Sequence, residues 1–361
     1  MTEERIPNAA LLRALPKTDL HVHLDGSLRP STVRELVNRD GLPFDFKNDD
    51  DVRKVCQVSE KCESLVEYLK VFDITLQIMQ RADDIERIAF ELAEDAHAEN
   101  VRYMEVRYSP MLHTNEGLPL DDIVAAVQKG LDRARHQYGI ITGQIICGIR
   151  HISVESSVEL AELAVRWKGR GVVAFDLAGA EKDFPAKDHI QAFYHVLNHT
   201  LPVTIHAGEA FGPESIHQAI HYCGANRIGH GTHLAEDPDL MQWVNDRRIP
   251  VEMCLASNIQ TRAIQEWDDH PIQRFLSEGL RVTLNTDNRL VSGTTVTREY
   301  ELAIRHYGLT TSQLAKIILD GFKSAFLPQT EKSHLVNRVL AEFESLGVSP
   351  TGLIGKRWRS A

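Results

Sequence analysis

The chain has 361 residues, of which 43% are hydrophobic and 25% charged, a balance that supplies a sizeable core and excludes a disordered or low-complexity protein. Its formal net charge is −11 and no Lys/Arg cluster is interleaved with aromatics, which argues against nucleic acid, because phosphate binding needs a local positive field. No window approaches the uncharged length that spans a bilayer, so no membrane partner is expected.

The opening segment, "MTEERIPNAALLRALPK", starts acidic, and Arg13 interrupts its short apolar run, so it does not read as a signal peptide. Eight β-branched or apolar runs then read as strands: 18–23 (TDLHVH), 101–108 (VRYMEVRY), 144–150 (QIICGIR), 172–177 (VVAFDL), 202–206 (PVTIH), 226–229 (NRIG), 249–254 (IPVEMC) and 281–285 (RVTLN). Between the first two stands an additional helical stretch, "SLVEYLKVFDITLQIM", with Leu65, Tyr68, Leu69 and Phe72 on one face. That face either packs on the outside of the fold or forms an apolar cover over a site. Amphipathic helices follow over 83–99, with Ile85, Ile88, Ala89, Leu92 and Ala96 at helical spacing, and over 120–136, with Ile123, Val127, Leu131 and Ala134. Near-continuous apolar strands alternating with helices argue for parallel pairing and an α/β fold of the (β/α)₈-barrel type, expected as one domain over 1–361. The five cysteines (Cys56, Cys62, Cys147, Cys223, Cys254) are odd in number and include no CxxC pair. Neither a disulfide framework nor a thiolate metal site is indicated, and a reducing, cytoplasmic setting is expected.

In such a barrel the chemistry sits at the C-terminal ends of the strands. Here the first strand ends in His21 and His23, the fourth in Asp176 and Gly179, and the fifth in His206 and Glu209. The sixth ends in His230, and the eighth in Asp287 and Asn288. Most of the chain's 17 histidines need no ligand role, but three of them and an acid arriving at one rim form a pattern. Residues i and i+2 of a strand share a face, so His21 and His23 can reach one ion together. His206 and Asp287 would complete the set from across the barrel, and three imidazoles with one carboxylate suit a single zinc ion. Glu209 is either a proton donor beside the substrate or a solvated loop acid. His230 either orients or deprotonates a water, or is a buried histidine bonded to backbone. Gly179 and Gly208 allow backbone N–H groups to approach a flat ligand, or are turn residues.

"TDLHVHLDGSLRP", "YMEVRYSP", "VVAFDLAGAE", "TIHAGE", "RIGHGTHL", "MCLASNIQT" and "VTLNTDN" occur in order over nearly the whole chain. Together they closely resemble the adenosine deaminase family of the amidohydrolase superfamily. The resemblance implies zinc-dependent hydrolytic deamination of adenosine and 2′-deoxyadenosine in purine metabolism, with water added at C6 and ammonia expelled. It matches His21, His23, His206 and Asp287 to the zinc ligands, Glu209 to the acid that protonates purine N1, and His230 to the residue that positions and activates the water. It further implies substrate contacts from His23, from the Gly179 N–H to N3 and from Asp25 to the ribose 5′-hydroxyl, and an apolar lid from Leu65, Tyr68, Leu69 and Phe72. Two-metal members of the superfamily bridge their ions with a modified lysine on the fourth strand, and "VVAFDLAG" has none.

The departure is Asn288, where the best-known members carry a second Asp that contacts N7. An amide donates to N7 at any pH, so the change is compatible with a purine, while Arg289 brings a charge toward the ligand. An alternative substrate is therefore a related 6-aminopurine, either free adenine or a nucleoside enlarged at the 5′ position such as aminodeoxyfutalosine. A non-catalytic extracellular scaffold is opposed by the intact metal set. A monomer or homodimer acting on a small molecule is expected.

Overall fold

The computed structural model describes residues 6–58, 62 and 65–348; the rest of the expected 1–361 span lies outside them. All eight expected strands form: β1 (Lys17–His23), β2 (Val101–Tyr108), β3 (Ile141–Ile149), β4 (Val172–Ala178), β5 (Thr204–Ala207), β6 (Arg227–His230), β7 (Val251–Met253) and β8 (Val282–Leu284). The later strands are shorter than their apolar runs. Pro202 and Pro250 cannot donate to a ladder, and β5 and β7 begin after them, although their carbonyls still accept from Phe175 and Ile228 at 3.0 Å.

Every pairing is parallel, in two four-stranded halves ordered β1-β2-β3-β4 and β5-β6-β7-β8. The fold is of the (β/α)₈-barrel type, and its halves meet at single bridges rather than along full ladders. One bridge joins Phe175 to Val203 and the other joins Val22 to Asp287. At the second, the Asp287 N–H donates to the His21 carbonyl (2.8 Å) and the His23 N–H donates to the Asp287 carbonyl (2.7 Å). The junction of first and last strands thus carries three of the residues expected to bind metal.

The helices expected over 83–99 and 120–136 are Ala82–Ala98 and Leu120–Tyr138, and each buries its apolar stripe against the sheet. The additional stretch departs from the single helix that its spacing predicts. It forms two short helices, Leu65–Leu69 and Phe72–Ile78, which turn between Lys70 and Val71. The break lets both segments bend over one end of the barrel, where Leu65 and Phe72 pack with Tyr68 and Val291 in a cluster separate from the main core. Among the described residues no helix is long and apolar enough to cross a membrane.

The barrel interior is filled by charge as much as by hydrocarbon. On β2 the alternating Tyr103, Glu105 and Arg107 face inward, and all three are fully buried. Arg107 spans the interior, donating to Asp176 of β4 (3.0 Å) and Glu252 of β7 (2.8 Å). Beneath it Arg227 donates to Glu105 and Glu252 and to the Ser324 carbonyl, and stacks on Phe326 at 3.6 Å. Buried charges are tolerated only when each has its partner, and removing one strands the others. Arg227→Leu is therefore expected to cost about 3–5 kcal/mol in denaturant unfolding, and a loss below about 1 kcal/mol would show that the network does not hold the barrel.

Candidate active site

The strand ends bring the expected residues to one place. His21, His23, His206 and Asp287 each present a ligand atom within 4.8 Å of the others. His206 Nε2 lies 3.0 Å from Nε2 of both His21 and His23, and Asp287 Oδ1 lies 3.5 and 3.4 Å from those two rings. In a tetrahedral site with bonds of ~2.0–2.1 Å, ligand atoms sit about 3.3 Å apart, so the four donors have the spacing that one ion requires.

The groups behind the rings explain the arrangement. His21 Nδ1–H donates to Glu252 Oε2 at 2.9 Å, and His206 Nδ1–H donates to Asp176 Oδ2 at 3.0 Å. A carboxylate only accepts, so both rings hold their proton on Nδ1 and turn Nε2 lone pairs toward each other. Two lone pairs 3.0 Å apart repel unless a cation lies between them. Ser257 Oγ–H donates to Asp287 Oδ2 (2.5 Å), which leaves Oδ1 for the centre. Burial drives the His23 and His206 pKa values down, so both rings are neutral, as ligands must be. Glu252 is buried too, yet Arg107 and Arg227 hold it well below the usual carboxylate range. Two of the site residues, His230 (φ 61°) and Asp287 (φ 58°), have left-handed backbone, which non-glycine residues adopt only where the surroundings hold them.

Glu209 and His230 stand beside the four donors. Glu209 is buried, with Oε1 accepting from the Thr261 hydroxyl (3.0 Å) and Oε2 3.5 Å from His230 Nε2. Burial, reinforced by the charges of Asp287 and Glu181, pushes its pKa well above the ordinary carboxylate range. Buried His230 has its pKa driven well down by that burial, and its Nδ1 lies 3.0 Å from Asn258 Nδ2.

These groups open on a cavity of about 600 Å³ whose wall includes Asp25, Gly179 and Asn288 on one side and Leu65, Tyr68, Leu69 and Phe72 on the other. The apolar face of the additional stretch therefore lines this cavity rather than only packing on the outside of the fold. Burial raises the Asp25 pKa to about 7, and its Oδ1 is buried without a hydrogen-bond partner. At Gly179 (φ 92°) an added Cβ would stand 3.0 Å from His151 Nδ1. Asn288 packs its Oδ1 against Gly26, where an added Cβ would meet it at 1.9 Å. Arg289 departs from expectation: it lies outside this cavity and pairs with Glu99 in a separate cleft. Its backbone N–H bonds the Ser27 hydroxyl at 3.0 Å, and its charge is spent on that acid.

The sequence reading gave no role to the residues that hold the site. Glu181, two residues past Gly179, accepts four backbone N–H groups, from Gly208, Glu209, Ala210 and Phe211, at 2.6–3.1 Å. It thereby fixes the loop that carries Glu209. Arg107, Glu252, Ser257 and Asn258 were equally silent, although a charged residue inside an apolar strand, as in "EVRY" and "VEMC", was a usable signal. A donor set able to hold a metal ion, next to a buried acid whose pKa is raised, would be equipped for hydrolysis at an electron-poor centre.

The adenosine deaminase family model matches residues 16–342. The chain is 38% identical to the adenosine deaminase of Clostridium kluyveri over 335 residues, covering 93% of this chain and 95% of that protein. It is 40% identical to the adenosine deaminase of Vibrio atlanticus over 326 residues, covering 90% and 98%. Among solved structures, the Arabidopsis N6-mAMP deaminase superposes with a TM-score of 0.82 at 28% identity, covering 92% of this chain and 99% of that one. A match that extends across all eight strands and every cluster of the site leads to one assignment: the chain belongs to the adenosine deaminase family.

Proposed function

We propose that the chain catalyses the hydrolytic deamination of adenosine and 2′-deoxyadenosine, releasing ammonia and the corresponding inosine. The observation that carries this reading is the placement of a buried Glu209, its pKa raised by burial, beside a three-histidine, one-aspartate donor set in one cavity with an apolar wall. The family match over 16–342 and the continuous core support a single deaminase domain.

His21, His23, His206 and Asp287 would hold one zinc ion, the divalent ion that best suits nitrogen donors with a single carboxylate. Zinc at this donor set supplies Lewis acidity that lowers the pKa of water toward about 7, so a nucleophile is available at neutral pH. The protein's own groups do the rest. Adding water to C6 of the purine moves electron density onto N1. Glu209, kept protonated by burial and by neighbouring acids, gives its proton to N1 as that density arrives. His230 contacts the attacking oxygen from the side facing Glu209. The Gly179 N–H and the Asn288 amide address the purine edge. Asp25, with an unpartnered oxygen, suits a ribose hydroxyl and repels a phosphate. The Leu65–Phe72 face excludes water, which keeps the Glu209 proton in place.

Three measurements test this. Glu209→Gln is expected to lose about 10²–10⁴-fold in kcat while binding the metal normally; near-normal turnover would refute its role. Elemental analysis is expected to find one zinc per chain, removable by a chelator with loss of activity and restored by zinc alone, and two tightly held ions would count against the single-metal reading. A panel of adenosine, 2′-deoxyadenosine, adenine, aminodeoxyfutalosine and N6-methyl-AMP, followed by ultraviolet absorbance, is expected to give the highest kcat/KM for the first two. Arg289 is turned away from the cavity, and a preference for a 5′-extended nucleoside would overturn the assignment.

A further inference from the structure

His21, His206 and His230 crowd one space, their ring centroids 4.5–5.3 Å apart, yet the groups behind them differ in kind. Behind His21 and His206 stand carboxylates, which only accept. Behind His230 stands the amide of Asn258, with Nδ2 placed 3.0 Å from His230 Nδ1. An amide can be turned end for end, so its direction must be read from its other neighbour. That neighbour is His270, whose Nε2 lies 3.3 Å from Asn258 Oδ1 and whose Nδ1 lies 3.2 Å from the backbone nitrogen of Ile272.

The polarity of this chain is set at its far end. A backbone N–H can only donate, so His270 Nδ1 accepts from Ile272. Burial drops the His270 pKa to about 3, so the ring carries one proton, and that proton is on Nε2. His270 Nε2–H donates to Asn258 Oδ1, which leaves Asn258 Nδ2–H to donate to His230 Nδ1. All three side chains are buried, where bulk water does not compete.

We infer that Asn258, oriented by His270, is a positioning residue that fixes His230 in the tautomer with its proton on Nε2. In that form His230 donates to the oxygen that adds to the substrate; it holds and orients the water and does not take its proton. The inference rests on the deaminase reading of the site and decides between the two water-handling roles that the sequence leaves open for His230.

Nitrogen NMR of the zinc-loaded chain labelled with ¹⁵N-histidine reads the tautomer directly, with the His230 signals identified by their absence from His230→Gln. A protonated Nε2 and a bare Nδ1 are expected; a proton on Nδ1 overturns the inference. Asn258→Asp keeps the shape of the side chain and replaces the donor by an acceptor. It is expected to move the His230 proton to Nδ1 and to lower kcat by about 10²–10³-fold, the cost of losing one donor to a developing oxyanion. KM is expected to stay within about threefold, since the lost bond acts on the reacting oxygen and not on the bound purine. A proton that stays on Nε2 in this variant, or one that moves without loss of kcat, overturns the positioning role. If the variant does not fold, the spectrum of the unaltered chain decides alone. Absence of ammonia release from every compound in the panel would strike the deaminase reading, while the spectrum would still decide the tautomer.

Discussion

The site depends on the backbone bridge between the last strand region and the first. Asp287 donates to the His21 carbonyl and accepts from the His23 N–H, so its carboxylate is placed between the two imidazoles by peptide geometry rather than by side-chain reach. A shift of one residue at this junction would turn both histidines to the outer face of β1 and dismantle the donor set. The left-handed backbone of Asp287 belongs to the same device, because it turns the carboxylate inward at the end of β8. Closing the fold and assembling the metal site are one event, and the conformational entropy of gathering four ligands from three strand ends is met by the folding of the barrel.

Each histidine at the centre takes its chemical character from the group behind it. Carboxylates at Nδ1 make His21 and His206 lone-pair donors, whereas an amide at Nδ1 makes His230 a proton donor. The same ring serves opposite ends because its second nitrogen meets a partner of opposite polarity. This need also accounts for the charged barrel interior. Glu252 and Asp176 must stay ionised to hold the ring protons, and in a buried setting only a fixed cation can keep them so. Arg107 reaches both, and Arg227 supports Glu252 from below. A hydrocarbon core would pack at lower electrostatic cost, but it could not set the tautomers.

The residues that gather at the candidate site were legible because their spacing is local. His21 and His23 share a face of one strand, and Glu209 and His230 sit in short glycine-containing strand ends. The apolar face at 65–72 was legible as a face, but its bend at Lys70–Val71 was not. Helical periodicity records which side is apolar and says nothing of where a helix must break to fit a curved surface. Arg289 was misplaced for a similar reason: adjacency to Asn288 suggested a shared destination, and the chain sends the two side chains to different clefts.

By itself the sequence determined the fold type, the eight strands and the chemical identity of the groups at their ends, since alternation and residue type are properties of short segments. Tertiary structure alone decided how those groups are charged and aimed. Glu181 gathers the Glu209 loop from another strand end, Arg107 links β2 to β4 and β7, and the Ile272 N–H sets the direction of Asn258 through His270. Apart from the local Ile272–His270 bond, these contacts join residues 12 to 145 positions apart. Proton positions and pKa values follow from burial and from the neighbour at each nitrogen or oxygen, and both exist only once the barrel has closed around them.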